Sequence, residues 1–320
     1  MASFSQRIWI FLGLTVMALY TQAQNEIPTN EVSQKDREKF IKYWLEFDKY
    51  ARSVIPSADF RIENRGPIIV EGDIATDREE NLFRLGLRWD VFPLYQWPNN
   101  TVPYVISREY SPSEYLLIQN STKSLEFLSC LKFEMWDGHK KDYLYIHSSK
   151  VRPGCWSYVG KRGGRQELSL RRPSKTSCYC LCNSGRILHE VLHALGFYHE
   201  HSRPDRDKYI KIVSSNVKKG KINNFAKKTF DRKVSEFSYD YDSIMHYSTL
   251  SFSKNKRKKM ETIRPLQPGI KIGQRIMLSP IDCMKLNYQF NCFSREDRWS
   301  NEKIRLICGL MGHRLNNIEY

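Results

Sequence analysis

HEVLHALGFYHE, residues 189–200, holds three of the chain's eight histidines within twelve residues, broken by one glycine. Residues four apart share one face of a helix, one turn above the other. His189 and His193 therefore project together and can share one metal ion, while Glu190 is one step round the helix, close to that ion but aimed differently. Gly196 follows three residues after His193. Glycine adopts positive φ without penalty, so it ends the helix and turns the chain sharply. His199 can then swing back as a third nitrogen donor.

Three histidines leave a tetrahedral zinc with one open position, which is the arrangement of catalytic rather than structural sites. Zinc lowers the pKa of a bound water to about 7 and polarises a carbonyl. Glu190 is placed to accept the water proton and return it to a leaving amine. HExxH alone recurs by chance, but HExxHxxGxxH adds two independent requirements and, with a downstream methionine turn, is the metzincin signature. Ser243-Ile244-Met245-His246-Tyr247 supplies that turn.

The rest of the chain fits an exported protein. It has 320 residues and a net charge of +16. Arg7, the apolar run Ile8 to Tyr20 and Thr21-Gln22-Ala23 have the order of a secretory signal cleaved after Ala23. A signal anchor is the lesser alternative, since the run is short for a membrane span and no later stretch is long and apolar enough. Eight cysteines on that route point to disulfides. Asn99 and Asn120 head glycosylation sequons. Lys254 to Lys259 is the densest basic cluster; a solvated loop is the simpler reading and an acidic-glycan site the alternative. Nucleic acid is a poor partner for an exported chain.

Helical spacing of Phe40, Ile41, Trp44, Leu45 and Phe47 suggests an amphipathic N-terminal helix, and Gly66-Pro67 breaks the chain after it. Strands are expected at Thr101–Ser107, Leu131–Trp136, Tyr143–His147 and Glu167–Leu170, with a helix at Pro112–Leu128. Beyond Tyr209 few periodic segments remain. The expected class is α+β: a zincin-like fold in two subdomains, with a mixed sheet and helices first and a mostly irregular half after.

HEVLHALGFYHEHSRPDRDKY, SIMHY, GCWSYVG (154–160) and ETIRPLQPGIKIGQR (261–275) together resemble the astacin family of zinc endopeptidases, over about Trp97 to Cys292. The resemblance implies one zinc per chain on His189, His193 and His199, with Glu190 as general base and acid, acting on protein or peptide substrates. It implies that Tyr247 is a further zinc ligand that swings to an oxyanion role, that Met245 lies as an apolar floor under the zinc, and that Glu200 anchors a new N-terminus. Glu200 could instead be a helix-end carboxylate beside Arg203 or Arg206. Val70-Glu71-Gly72-Asp73 resembles the family's propeptide latch, with Val70 where the family has phenylalanine; Asp73 would occupy the open zinc position. The implied division is a signal peptide at 1–23, a propeptide at 24–87 ending between 84 and 88 near Arg84 or Arg88, a catalytic domain at 88–292 and a short basic tail at 293–320. Arg275 matches a pocket position that favours acidic P1′ residues; a surface arginine is the alternative. Cys130 is expected to pair with Cys292, and Cys155 with Cys182, the nearest by count of Cys178, Cys180 and Cys182. The two left over, with Cys283 and Cys308, could make two further bridges, their pairing open.

Overall fold

Alternation in Tyr143–His147 buries Leu144 and Ile146 on one side and leaves Tyr143, Tyr145 and His147 on the other. In the computed structural model, which describes residues 66–76, 96–228, 236–293 and 298–315, this segment lies inside a seven-stranded sheet. The strands are β1 (Ile68–Val70), β2 (Ile74–Thr76), β3 (Thr101–Ile106), β4 (Lys132–Met135), β5 (Tyr143–His147), β6 (Cys155–Tyr158) and β7 (Arg165–Leu170), in spatial order β1-β2-β6-β7-β5-β3-β4. Pairs β3·β4, β3·β5 and β5·β7 are parallel, and β6 runs antiparallel to β7. The hairpin β1–β2 adds to the outer side of β6, with β2 parallel to it.

Helix α1 (Pro112–Leu128) starts where expected because Ser111 and Glu114 form a reciprocal capping box with Pro112 in the first turn. It buries Tyr115, Ile118, Leu125 and Leu128. Helix α2 (Ser184–Ala194), capped by Asn183, packs against α1 and the β6–β7 side of the sheet.

The second half has little regular structure. Short 3-10 turns lead into a two-stranded ribbon, β8 (Ile210–Ile212) with β9 (Ile263–Pro265). Its core gathers Ile210, Val217, Phe225, Tyr239, Tyr247 and Ile263. Helix α3 (Pro280–Gln289) begins at a second capping box, Ser279 with Asp282.

The structure departs from the sequence expectations at several places, the short strands β1, β2, β8 and β9 and helix α3 among them. Strand β6 lies where no strand is expected, and β7 begins at Arg165 rather than Glu167. Cys155 bonds to Cys180, not Cys182. The reason is the 3-10 turn Tyr179–Leu181, which turns Cys180 into the core while Cys178 and Cys182 flank it and bond to each other. Lastly, the segment expected as a basic tail contains helix α4 (Arg298–Leu315), packed on α3 and tied to it by Cys283–Cys308. Cys130 bonds to Cys292 across 162 residues. The signal sequence, the helix around Phe40–Phe47 and the region of Arg84 and Arg88 lie outside the described residues.

Candidate active site

Helix α2 is buried almost throughout because Ile187, Leu188, Val191 and Leu192 face the core. His189 and His193 stand one turn apart, with ring centroids 4.8 Å apart. At the helix end Gly196 has φ 106°, a conformation that strains any residue with a Cβ. Its N–H donates to the His193 carbonyl at 2.8 Å and that of Phe197 to the Leu192 carbonyl at 3.0 Å. This pair of bonds is the Schellman closure. The chain reverses there, and the His199 ring comes to 4.7 Å from His193 and 5.4 Å from His189.

The three rings present Nε2 to one point because Nδ1 of each is engaged elsewhere. His189 Nδ1 is 2.8 Å from the Ile244 carbonyl and His193 Nδ1 2.7 Å from that of Phe197. His199 Nδ1 is 2.9 Å from Glu71 Oε2. Such outer partners set the tautomer and ring orientation of metal-binding histidines.

Asp73, at the tip of the β1–β2 hairpin, completes the group. Its Oδ2 is 3.2 Å from His189 Nε2, and its Oδ1 is 3.1 Å from His199 Nε2 and 3.8 Å from His193 Nε2. All four donor atoms lie within 4.8 Å of one another. Asp73 Oδ1 and the Nε2 atoms of His193 and His199 are buried without a hydrogen-bond partner. Buried polar atoms are normally satisfied, so this orphaned N₃O cluster fits a single zinc ion held by three imidazoles and a carboxylate.

Burial, then the charge of Arg275, lowers the His189 pKa to about 4. Burial, then the two neighbouring histidines, pushes His193 well below its usual range. Both imidazoles thus favour the neutral form that binds metal. Burial opposes the charged form of His199 too, but Asp73 and Glu71 outweigh it and raise its pKa to about 9.

Glu190 is 3% exposed, and its Oε2 is buried without a hydrogen-bond partner. Burial and then the Asp73 charge push its carboxyl well above the ordinary carboxylate range, with Arg275 pulling the other way. Arg275 is bound through Nη1 to the carbonyls of His246 and Gln274, both at 2.8 Å. Met245 is buried in a turn set by Asp282, which accepts from Ser243 Oγ and the Ile244 N–H, each at 2.7 Å. The Tyr247 hydroxyl donates to the Glu71 carbonyl.

Glu200 is buried and fully engaged: Lys285 Nζ lies at 2.7 Å, Arg203 Nη1 at 3.1 Å and the Asp240 N–H at 3.0 Å. Its partners in this structure include Arg203, one of the two arginines the sequence suggested, and Lys285, which it did not. Asn99 and Asn120 are both exposed. The basic loop is exposed as well, and a bridge between Val217 and Ser253 brings it beside Lys218, Lys219 and Lys221.

Sequence reasoning missed Glu71, Asn224 and Lys228. The second carboxylate in VEGD was a signal that could have drawn attention to Glu71. Nothing local marks Lys228, which arrives from a distant part of the chain through the tertiary fold and lies 2.8 Å from Glu71 Oε1.

Fold and site together define a zincin whose three-histidine cluster, able to hold a metal ion, is met by Asp73 from a hairpin of its own chain. The Astacin peptidase-family model matches residues 91–291. Zinc metalloproteinase nas-4 of Caenorhabditis elegans is 35% identical over 273 residues, covering 83% of this chain and 81% of that protein. Zinc metalloproteinase nas-12 of the same organism is 38% identical over 212 residues, covering 65% of this chain. The chain spans about half the length of nas-12, 52%. Among solved structures it is similar to high choriolytic enzyme 1, a hatching enzyme zinc-protease from the medaka Oryzias latipes, at 35% identity and TM-score 0.55, covering 62% of this chain and 94% of that one. The chain belongs to the astacin family of peptidases.

Proposed function

We propose that this chain is the secreted precursor of a zinc-dependent endopeptidase. The observation that carries the reading is the convergence of three imidazole nitrogens and Asp73 on one point, beside a buried Glu190. His189, His193 and His199 would hold zinc there, which would supply Lewis acidity and lower the pKa of water. Glu190 takes the water proton and hands it to the leaving amine. The Tyr247 hydroxyl, released from the Glu71 carbonyl, donates to the developing oxyanion. Arg275 pairs with an acidic P1′ side chain. Met245 floors the site.

The hairpin keeps the precursor silent in two ways. Asp73 takes the open metal position, and β2 covers β6, which would otherwise be a free sheet edge onto which an extended peptide can add. Removal follows a cut between residues 84 and 88. Residues 1–23 direct export, which accords with the four disulfides. No helix among the described residues is long and apolar enough to cross a membrane. Sugars would be carried on Asn99 and Asn120. The paired basic loops favour a second role, retention on acidic glycans; elution from heparin at low salt would remove it.

The test is cleavage of a quenched peptide with an acidic P1′ residue by the full chain, before and after limited trypsin. Activity appears only after trypsin in the wild type and is lost in Glu190→Gln. Metal analysis finds one zinc per chain and loss of it in His193→Ala. A trypsin-treated chain that holds zinc yet cleaves no peptide in a random library overturns the reading.

A further inference from the structure

Asp73 is not the only carboxylate that the hairpin inserts. Glu71 is 2% exposed and has φ 52°, a left-handed conformation unusual for a residue with a side chain. A pocket formed by the body of the protein compensates for that strain. Lys228 Nζ is 2.8 Å from Oε1, and Asn224 Oδ1 accepts from the Glu71 N–H at 3.1 Å. The Lys228 ammonium lies 5.5 Å from the centre of the Tyr198 ring, and the Lys228 N–H donates to the Ser202 carbonyl at 2.7 Å, which fixes its backbone. Phe252 closes the wall next to Gly72, where an added Cβ would come within 2.9 Å of its ring.

Every wall of this pocket except Glu71 itself belongs to the part of the chain that remains when the hairpin departs. Lys228 makes one ion pair among the described residues, and that is with Glu71. An ammonium that loses its carboxylate is free to donate to another. Lys228 also differs from Arg275, whose charge acts on Asp73 and Glu190.

We infer that the Glu71 pocket is a second acid-selective subsite, governed by Lys228: Glu71 fills it in the precursor, and an aspartate or glutamate side chain of the substrate fills it in the activated enzyme. This rests on the reading that the hairpin is a removable latch. Substrates of this enzyme then carry two acidic residues near the cleaved bond, one for each cation.

Two measurements test this. The full chain is cleaved by limited trypsin, freed of the released fragment, and titrated with the peptide of residues 66–76 in its natural form and with Glu71→Gln. The natural peptide binds at least about tenfold more tightly, as expected of a charge-assisted contact. That ratio falls severalfold in Lys228→Met protein, where the His199 contact to Oε2 remains, and survives in Lys228→Arg. In kinetics on peptides with Glu or Gln at each position around the scissile bond, one position other than P1′ prefers Glu, mainly through KM, and loses the preference in Lys228→Met. Equal binding of the two peptides to wild type, or a ratio unchanged by Lys228→Met, overturns the subsite. If no peptide is cleaved at all, the endopeptidase reading fails, while the binding ratio still decides the pocket.

Discussion

Between Thr101 and Leu170 the interior is apolar and regular: Val102, Ile106, Leu144, Ile146, Leu168 and Leu170 are fully or almost fully buried on successive strands. Between Glu200 and Asn287 the apolar cluster around Ile210, Phe225, Tyr247 and Ile263 is accompanied by a buried charged network. Glu200, Arg203, Asp240, Asp282 and Lys285 are all buried, joined by Ser243 and Ser279 to the turn that carries Met245. Apolar burial is non-directional and tolerates small changes of shape. A buried ionic network is directional, and removing one member leaves its partners uncompensated. The first half therefore supplies a stable platform, and the second holds a turn of little regular structure in one position against the histidines.

The comparison breaks most readily at Lys285. Its cation pairs with Glu200 and lowers the pKa values that burial raises at Asp240 and Asp282. Lys285→Met is expected to cost about 3–5 kcal/mol in denaturant unfolding. A neutral or stabilising result would show that the network is replaceable by packing and would erase the contrast. The next effect belongs to the helix beyond the catalytic region. Cys308→Ser opens a bridge of sequence separation 25 and should lower stability by about 3 kcal/mol on the loop-entropy relation, with α4 the first segment released to protease.

A titration sharpens the same contrast within the sheet half. His147 is half-buried, and desolvation, followed by the Arg165 charge, lowers its pKa from 6.5 to about 4. The folded state therefore binds fewer protons than the unfolded chain between these values. The stability it contributes is complete above pH 6.5 and is lost as pH falls towards 4, up to ~3 kcal/mol. Unfolding midpoints between pH 7 and pH 4 should fall more steeply in wild type than in His147→Phe; parallel slopes would refute the assignment. The smallest effect is Ile146→Val in the apolar core, about 1 kcal/mol. A loss as large as that of Lys285→Met would mean that the sheet is no more forgiving than the ionic half.

Legibility followed the same division. Strand β5 and helix α1 have the bounds expected from sequence, because both rest on local apolar spacing. The metal donors on α2 were equally plain, since a helix converts a spacing of four into one face. Strand β6 was missed because Cys155–Tyr158 is buried at its two central residues and partly exposed at its ends, a pattern with no period-two alternation. The Cys155 pairing was misread because counting along the chain does not show which way a 3-10 turn directs three closely spaced cysteines.

By itself the sequence pointed to the family and to His189, His193 and His199 gathering with Glu190 beside them, and the family resemblance suggested Asp73 as their companion. The histidine grouping depends on helical geometry and on one glycine turn, both set by neighbours a few residues away. Only the tertiary structure decided that Glu71 accompanies Asp73 into the cleft, that Lys228 receives it, that Lys285 balances Glu200, and that Cys180 rather than Cys182 meets Cys155. Each of these is a contact between side chains brought together by packing, and the energy that selects a partner in a buried site comes from desolvation and distance, neither of which is written in the spacing of residues along the chain.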